Sequence, residues 1–255
     1  MPALYAILFL LLGLCCGTVV DILAYRIPRK KIFEKKVPYC PHCLTSHPPK
    51  YFIPILGYFL CKGRCESCSE RLSPRKPIVE TFIALVFMGL YFAYGLTWYL
   101  IPAFLLVAVL VLISCIDTDI MEIPNGLVLI ILVEGIITFI ASFFGFGFKW
   151  YDYLIGAVAA SVPLFLIALF SGGIGGGDIK LLFGVGLFLG WQNVLVATVF
   201  GTVIGAIVGI VGIIVKGKGA KSKIPLGPSL ALGIIITLFT GDYIIKAVAD
   251  LFAVA

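Results

Sequence analysis

Five of the eight cysteines fall between positions 40 and 68. Cys40-Pro41-His42-Cys43 and Cys65-Glu66-Ser67-Cys68 are two C-x2-C pairs with 21 residues between them. One such turn presents two thiolates to a cation, and two complete a closed tetrahedral site of the structural zinc type. The competing chemistry, a pair of disulfides, needs an oxidising compartment. The charge pattern places this segment in a reducing one, so one structural zinc on Cys40, Cys43, Cys65 and Cys68 is expected. His42 and His47 are the only histidines; they are substitute ligands in principle, but four cysteines already fill the shell. Cys61 is a spare thiol. Cys15, Cys16 and Cys115 sit in apolar runs, where packing is their expected role.

The acids form the second group. Asp117, Asp119 and Glu122 lie in Ile116-Asp117-Thr118-Asp119-Ile120-Met121-Glu122-Ile123-Pro124-Asn125, and Asp178 follows Gly172-Gly173-Ile174-Gly175-Gly176-Gly177. Two carboxylates brought together can hold a water and share one proton, one acting as base while the other polarises a peptide carbonyl. Glycines ahead of Asp178 would let an extended backbone approach closely. Taken alone, the pattern is better described as a solvated aspartate after a glycine-rich loop, and by itself it names no peptidase.

These side chains must be positioned by elements of a particular kind. The chain is 61% hydrophobic and 13% charged, with a mean hydropathy of +1.14. An ordinary soluble domain carries about 25% charged residues, so a water-soluble globule is excluded. The apolar stretches are unbroken and do not alternate at period two, which excludes a β-barrel. The expectation is an all-α polytopic membrane protein with about eight transmembrane helices: residues 1–23, then runs near 78–96, 98–116, 126–146, 153–171, 179–190, 194–215 and 225–241. The sixth run is short for a span of about 20 residues. Residues 243–255 either extend the last helix or lie along the interface. Gly201, Gly205 and Gly209 recur at four-residue spacing, which predicts close helix packing in lipid.

Residues 24–77 hold twelve Lys or Arg against three acids, too much charge to lie in lipid, and Lys216, Lys218, Lys221 and Lys223 form a second basic cluster. Short basic loops beside apolar spans mark the cytoplasmic side; a nucleic-acid partner is not expected. Six spans separate the two loops, so both face the cytoplasm, as do the segments bearing Asp117 and Asp178. Tyr94, Trp98, Trp150, Tyr151 and Trp191 mark the outer turns. The predicted domains are a first helix (1–23), a cytoplasmic four-cysteine insert (24–77) stapled by zinc because it has little core of its own, and a multi-helix membrane domain (78–255).

Asp117 followed by Ile123-Pro124, and Gly175-Gly176-Gly177-Asp178 with Lys180, resemble the paired motifs of the GxGD membrane aspartic proteases. The four-cysteine insert, Gly63-Arg64-Cys65, Pro74-Arg75-Lys76-Pro77 leading to Glu80, and Ile224-Pro225-Leu226-Gly227-Pro228 narrow this, and nearly the whole chain is similar to the type IV prepilin leader peptidases. The resemblance implies removal of the basic leader of prepilins or pseudopilins at the cytoplasmic face of a bacterial inner membrane. It further implies N-methylation of the new N-terminal residue by S-adenosylmethionine. Asp117 and Asp178 become the proteolytic pair, since the family's spacing to the proline selects Asp117 over Asp119. Gly63 and Arg64 fall where methyl transfer is sensitive. Asn125 and the stretch Gly17 to Asp21 depart from the family's usual residues, the second of these near the methyl-transfer half. Glu134 is expected to be protonated or hydrogen-bonded inside the bundle, and Asp242 to be a decoy. A peptidase without methyl transfer is the second enzyme reading. A small transporter with a proton relay is the reading from another class; it should show internal repeats, and none is evident.

Overall fold

The computed structural model describes residues 2–30, 40, 43, 45, 48–146, 149–171, 175–216 and 225–253. Among them there is no strand, only an isolated antiparallel bridge between Arg64 and Arg71. The helices are α1 (Pro2–Arg26), α2 (Leu56–Leu60), α3 (Arg75–Tyr94), α4 (Leu100–Ile120), α5 (Asn125–Ser142), α6 (Trp150–Ser171), α7 (Gly176–Leu189), α8 (Trp191–Lys216) and α9 (Gly227–Ala253), with a 3-10 turn at Pro49–Phe52. All but α2 and α7 are long and apolar enough to cross a membrane, which makes seven candidate spans. The all-α membrane architecture is therefore as expected.

The short sixth run becomes α7, which has 14 residues and rises only about 21 Å at 1.5 Å per residue. That is less than the ~30 Å hydrocarbon core. It compensates by burial, because Leu181, Leu182 and Val185 are fully enclosed and its neighbours α5 and α6 pack on it. The last run continues to Ala253 as one helix, so the tail extends the eighth apolar run. Pro228 is tolerated as the second residue of α9, where its missing N–H would have no partner within the helix.

The chain divides into two compact units, Met1–Ile116 and Asp117–Ala255, with the boundary inside α4. In the first, α1 and α3 pack along Gly13 and Gly17. A Cβ at Gly13 would lie 2.5 Å from the Ala84 Cα, and one at Gly17 would lie 2.5 Å from the Glu80 Cα. Small residues four apart let backbones approach in lipid, where dispersion contacts replace the hydrophobic effect. Phe87 stacks on Phe104 of α4, with centroids 4.1 Å apart. In the second unit α7 packs against α5 and α6, and α8 against α9. Gly201 and Gly205, two of the three glycines of the predicted face, pack closely on Leu226 and on Ser229 and Leu230 of α9.

Candidate active site and metal centre

In the second unit, Asp117 ends the buried face of α4 and Asp178 is the third residue of α7. Both are buried, at 6% and 8% exposure, whereas Asp119 and Glu122 are exposed. Residues two apart on a helix are about 200° apart around its axis, so only one of Asp117 and Asp119 can turn inward. Asp117 lies near enough for its charge to act on Asp178. Asp242, the decoy, is exposed on α9.

Three contacts tie the surrounding motifs together. The Gly227 backbone N–H, at the start of α9, donates to Oδ2 of Asp117 at 2.9 Å. A helix N-terminus has free N–H groups and a favourable dipole for an anion. A Cβ at Gly227 would fall 2.8 Å from that same oxygen. Between the aspartate motifs, a Cβ at Gly177 would lie 2.9 Å from the Cβ of Ile123. Lys180, exposed on the solvent side of α7, donates to Oδ1 of Asn125 at 3.1 Å. The Asp178 N–H bonds the carbonyl of Gly175, the N-cap of α7, at 3.1 Å. Residues 172–174 of the glycine run lie outside the described residues.

Two apolar cavities flank this region. One, of about 550 Å³, runs between α8 and the start of α9, with Thr118, Met121, Pro225 and Pro228 in its wall. The other, of about 350 Å³, is lined by α5 and α7 residues that include Asn125, Lys180 and Phe183. Buried carboxylates between apolar walls suit water activation next to an apolar substrate segment. Glu134 is also buried, at 4% exposure, but neither of its oxygens has a partner among the described residues. It lies inside the bundle as expected, and of the two states expected for it the hydrogen-bonded one is not found among the described residues.

In the first unit, Cys40, Cys43, Cys65 and Cys68 are free thiols whose Sγ atoms all lie within 4.8 Å of one another. Cys40 and Cys68 are 3.6 Å apart, and Cys43 and Cys65 are 3.7 Å apart. A tetrahedral site with Zn–S bonds of 2.3 Å has edges of roughly 3.8 Å, so the cluster fits one zinc-sized ion. Tight turns shape it: the Cys40 N–H bonds the Thr45 carbonyl at 3.0 Å, and the Cys65 N–H bonds the Glu70 carbonyl at 2.8 Å. The Thr45 hydroxyl, 2.8 Å from Cys43 Sγ, and the Thr45 backbone bring the Cys43 thiol down to about 6, favouring the thiolate that a metal requires. Cys61 stays outside the cluster. It is buried with Tyr51 and Leu72 in the insert's small core, and burial raises its thiol. His42 and His47 lie outside the described residues.

Gly63 and Arg64 border a cavity of about 650 Å³ with Tyr58, Lys62 and Arg71. Gly63 has φ of 61°, a conformation that favours glycine, and a Cβ there would meet the Tyr58 hydroxyl at 2.9 Å.

The sequence left the role of Glu80 open, and the structure makes it the hub of a buried polar knot. Glu80 Oε1 accepts from Thr18 Oγ1 at 2.5 Å and from Lys76 Nζ at 2.6 Å, and Oε2 accepts from the Ile55 N–H at 2.7 Å. Lys76 and Glu80 are 2% and 0% exposed. The Lys76 ammonium also stands 5.1 Å from the Tyr51 ring centroid. A Lys–Glu pair at i, i+4 in the first turns of a span is a visible signal, but its link to Ile55 has none.

Fold and site together define a polytopic α-helical membrane protein with two buried aspartates and a cysteine-bearing insert. Residues 11–94 match the family model described as Bacterial Peptidase A24 N-terminal domain, and residues 104–210 match Type IV leader peptidase family. The chain is 31% identical to a prepilin leader peptidase/N-methyltransferase of Bacillus subtilis (strain 168), covering 94% of this chain and 96% of that protein. Proteins of the same description from Aeromonas hydrophila and Pseudomonas aeruginosa are each 30% identical, over 96% of this chain and 94% and 93% of theirs. The chain belongs to the type IV leader peptidase family. No solved structure matches it.

Proposed function

We propose that the protein is a membrane aspartic endopeptidase that removes the basic leader of prepilins or pseudopilins and N-methylates the new N-terminal residue. The observation that carries the peptidase half is the burial of both Asp117 and Asp178, with the Gly227 N–H at the start of α9 bonded to Asp117. In this reading the pair holds the attacking water and shares one proton. One carboxylate removes a proton from the water, and the protonated partner polarises the scissile carbonyl. The Gly227 N–H holds Asp117 in orientation. The flanking apolar cavities accept the substrate's apolar segment, and the described glycines ahead of Asp178 admit its backbone.

The membrane domain over residues 78–255 carries this reaction, and the insert over 24–77 carries methyl transfer. Cys40, Cys43, Cys65 and Cys68 would hold a structural zinc; a closed four-sulfur shell leaves no position for substrate. The cavity at Gly63 and Arg64 is the candidate place for S-adenosylmethionine: its cations suit a carboxylate, and the Tyr58 ring gives it an apolar wall. The orientation that fits the basic residues of 24–77 is one with both reactions at the cytoplasmic face of a bacterial inner membrane. The names of the homologous proteins support processing and methylation.

Mass spectrometry of a prepilin co-expressed with this protein tests both halves, since leader loss and methyl addition change the mass separately. A prepilin recovered with its leader intact overturns the peptidase reading. A shortened but unmethylated one leaves the peptidase without the transferase.

A further inference from the structure

One charge-free stretch of the insert is also rich in large apolar side chains. Between Lys50 and Lys62, the run Tyr51 to Cys61 holds no Asp, Glu, Lys or Arg. Its inner side is fixed: Tyr51 and Gly57 are buried and the Ile55 N–H is bonded to Glu80. Its outer side is apolar and open, with Ile53 43%, Leu56 61%, Phe59 65% and Leu60 57% exposed. Four such side chains in eight residues are an unusual surface for a loop in water.

The depth of this stretch decides what covers it. Glu80 is the sixth residue of α3, and its other partner, Thr18, lies eight residues before the end of α1. At 1.5 Å per residue these positions are roughly 8 and 12 Å inside the helix ends. Val19 of α1 and Ile78 of α3, at about this level, are 53% and 62% exposed, as side chains facing lipid are. The hydrogen bond to Glu80 therefore holds the Ile55 turn against the flank of the two candidate spans, inside their ends. Lys62, Arg64 and Arg71 border the adjoining cavity, whose wall has no acidic residue. Lys62 and Arg71 are exposed. Exposed apolar side chains next to exposed cations, around a cavity lined by no acidic residue, are the arrangement of an interfacial segment on an anionic membrane.

We propose that Ile53–Leu60 is immersed in the membrane interface, with Leu56, Phe59 and Leu60 among the upper acyl chains and Lys62 and Arg71 binding anionic phospholipid headgroups. The insert thus rests on the bilayer, and the Gly63 cavity opens at the lipid surface.

The test uses the full chain in nanodiscs of phosphatidylcholine and phosphatidylglycerol, with Phe59→Trp read against the background of the three native tryptophans. Lipid brominated near the carbonyl end of its chains should remove roughly half of the added emission, as expected for a ring buried about 5–10 Å below the headgroups. Leu56→Trp repeats the measurement should Phe59→Trp not fold. Added emission that is quenched by aqueous iodide and not by lipid overturns the proposal. So does quenching that appears only when an apolar prepilin segment is supplied, which would assign the surface to a protein. In the charge arm, wild type should retain phosphatidylglycerol over phosphatidylcholine in native mass spectrometry. Lys62→Gln with Arg71→Gln should lose that preference several-fold; an unchanged preference overturns the headgroup contact.

Discussion

Gly227 and Asp117 are 110 positions apart, yet the glycine N–H donates to the carboxylate Oδ2 at 2.9 Å. A Cβ at 227 would stand 2.8 Å from that oxygen, so a side chain there fits only if the carboxylate moves. Gly227→Ala is expected to push the Asp117 carboxylate aside while α9 still forms, since alanine favours a helix. A displacement approaching 1 Å in a catalytic group costs on the order of 100-fold in rate. Leader cleavage assayed with purified protein should fall by about that factor with the melting temperature little changed. Cleavage at the wild-type rate would show that this contact does not position the aspartate.

Asp117→Asn and Asp178→Asn are each expected to abolish cleavage and leave the protein inserted and folded, because a shared-proton pair needs two carboxyls. Asp119→Asn should retain most activity, as its side chain lies on the exposed side of α4. Loss in Asp119→Asn alone would transfer the assignment to that residue.

Purified protein kept under reducing conditions should contain one zinc per chain. Replacing any of Cys40, Cys43, Cys65 or Cys68 by Ser should release it. Structural zinc in such turns contributes about 10 kcal/mol or more to folding, and the insert core around Tyr51, Cys61 and Leu72 is small. Methyl transfer should therefore be lost first and cleavage only in part. Cys61→Ser should keep the metal. Metal analysis beside both assays decides; zinc-free active wild type refutes the site.

Glu80→Ala strands the buried Lys76 ammonium and frees the Ile55 turn. Breaking one side of a buried pair destabilises by roughly 3–5 kcal/mol, so thermal unfolding should shift down sharply. Adding Lys76→Met should recover a large part of that loss by removing the stranded charge. If the double variant melts no higher than Glu80→Ala, the ion pair is not the main contribution of Glu80.

Single engineered cysteines in a background that lacks Cys15, Cys16, Cys61 and Cys115 but keeps the four clustered cysteines should report topology. Labels placed in 217–223 and in 24–39 are expected to react only from the cytoplasmic side, and one at Gln192 only from outside. Labelling of the two basic segments from opposite sides would overturn the orientation.

What could be read along the chain is what is local. Hydropathy over a window of about 20 residues located the spans, because each helix satisfies its own backbone and needs only apolar side chains outward. The C-x2-C spacing announced four sulfurs whose convergence within 4.8 Å follows from two tight turns. Asp117 and Asp178 were nominated by motif, and the glycines of α8 by their four-residue period. What tertiary structure decided is which face each residue turns and to whom. It buries Asp117 and exposes Asp119, places the α9 N-terminus on Asp117, and gathers Thr18, Ile55 and Lys76 around Glu80. It also ties the charge-free Ile55 turn to the buried Glu80, within an insert that its overall composition describes as too charged to enter lipid. Mean hydropathy averages over such a run. Depth and facing are set by packing partners far away in sequence, and no local pattern encodes them.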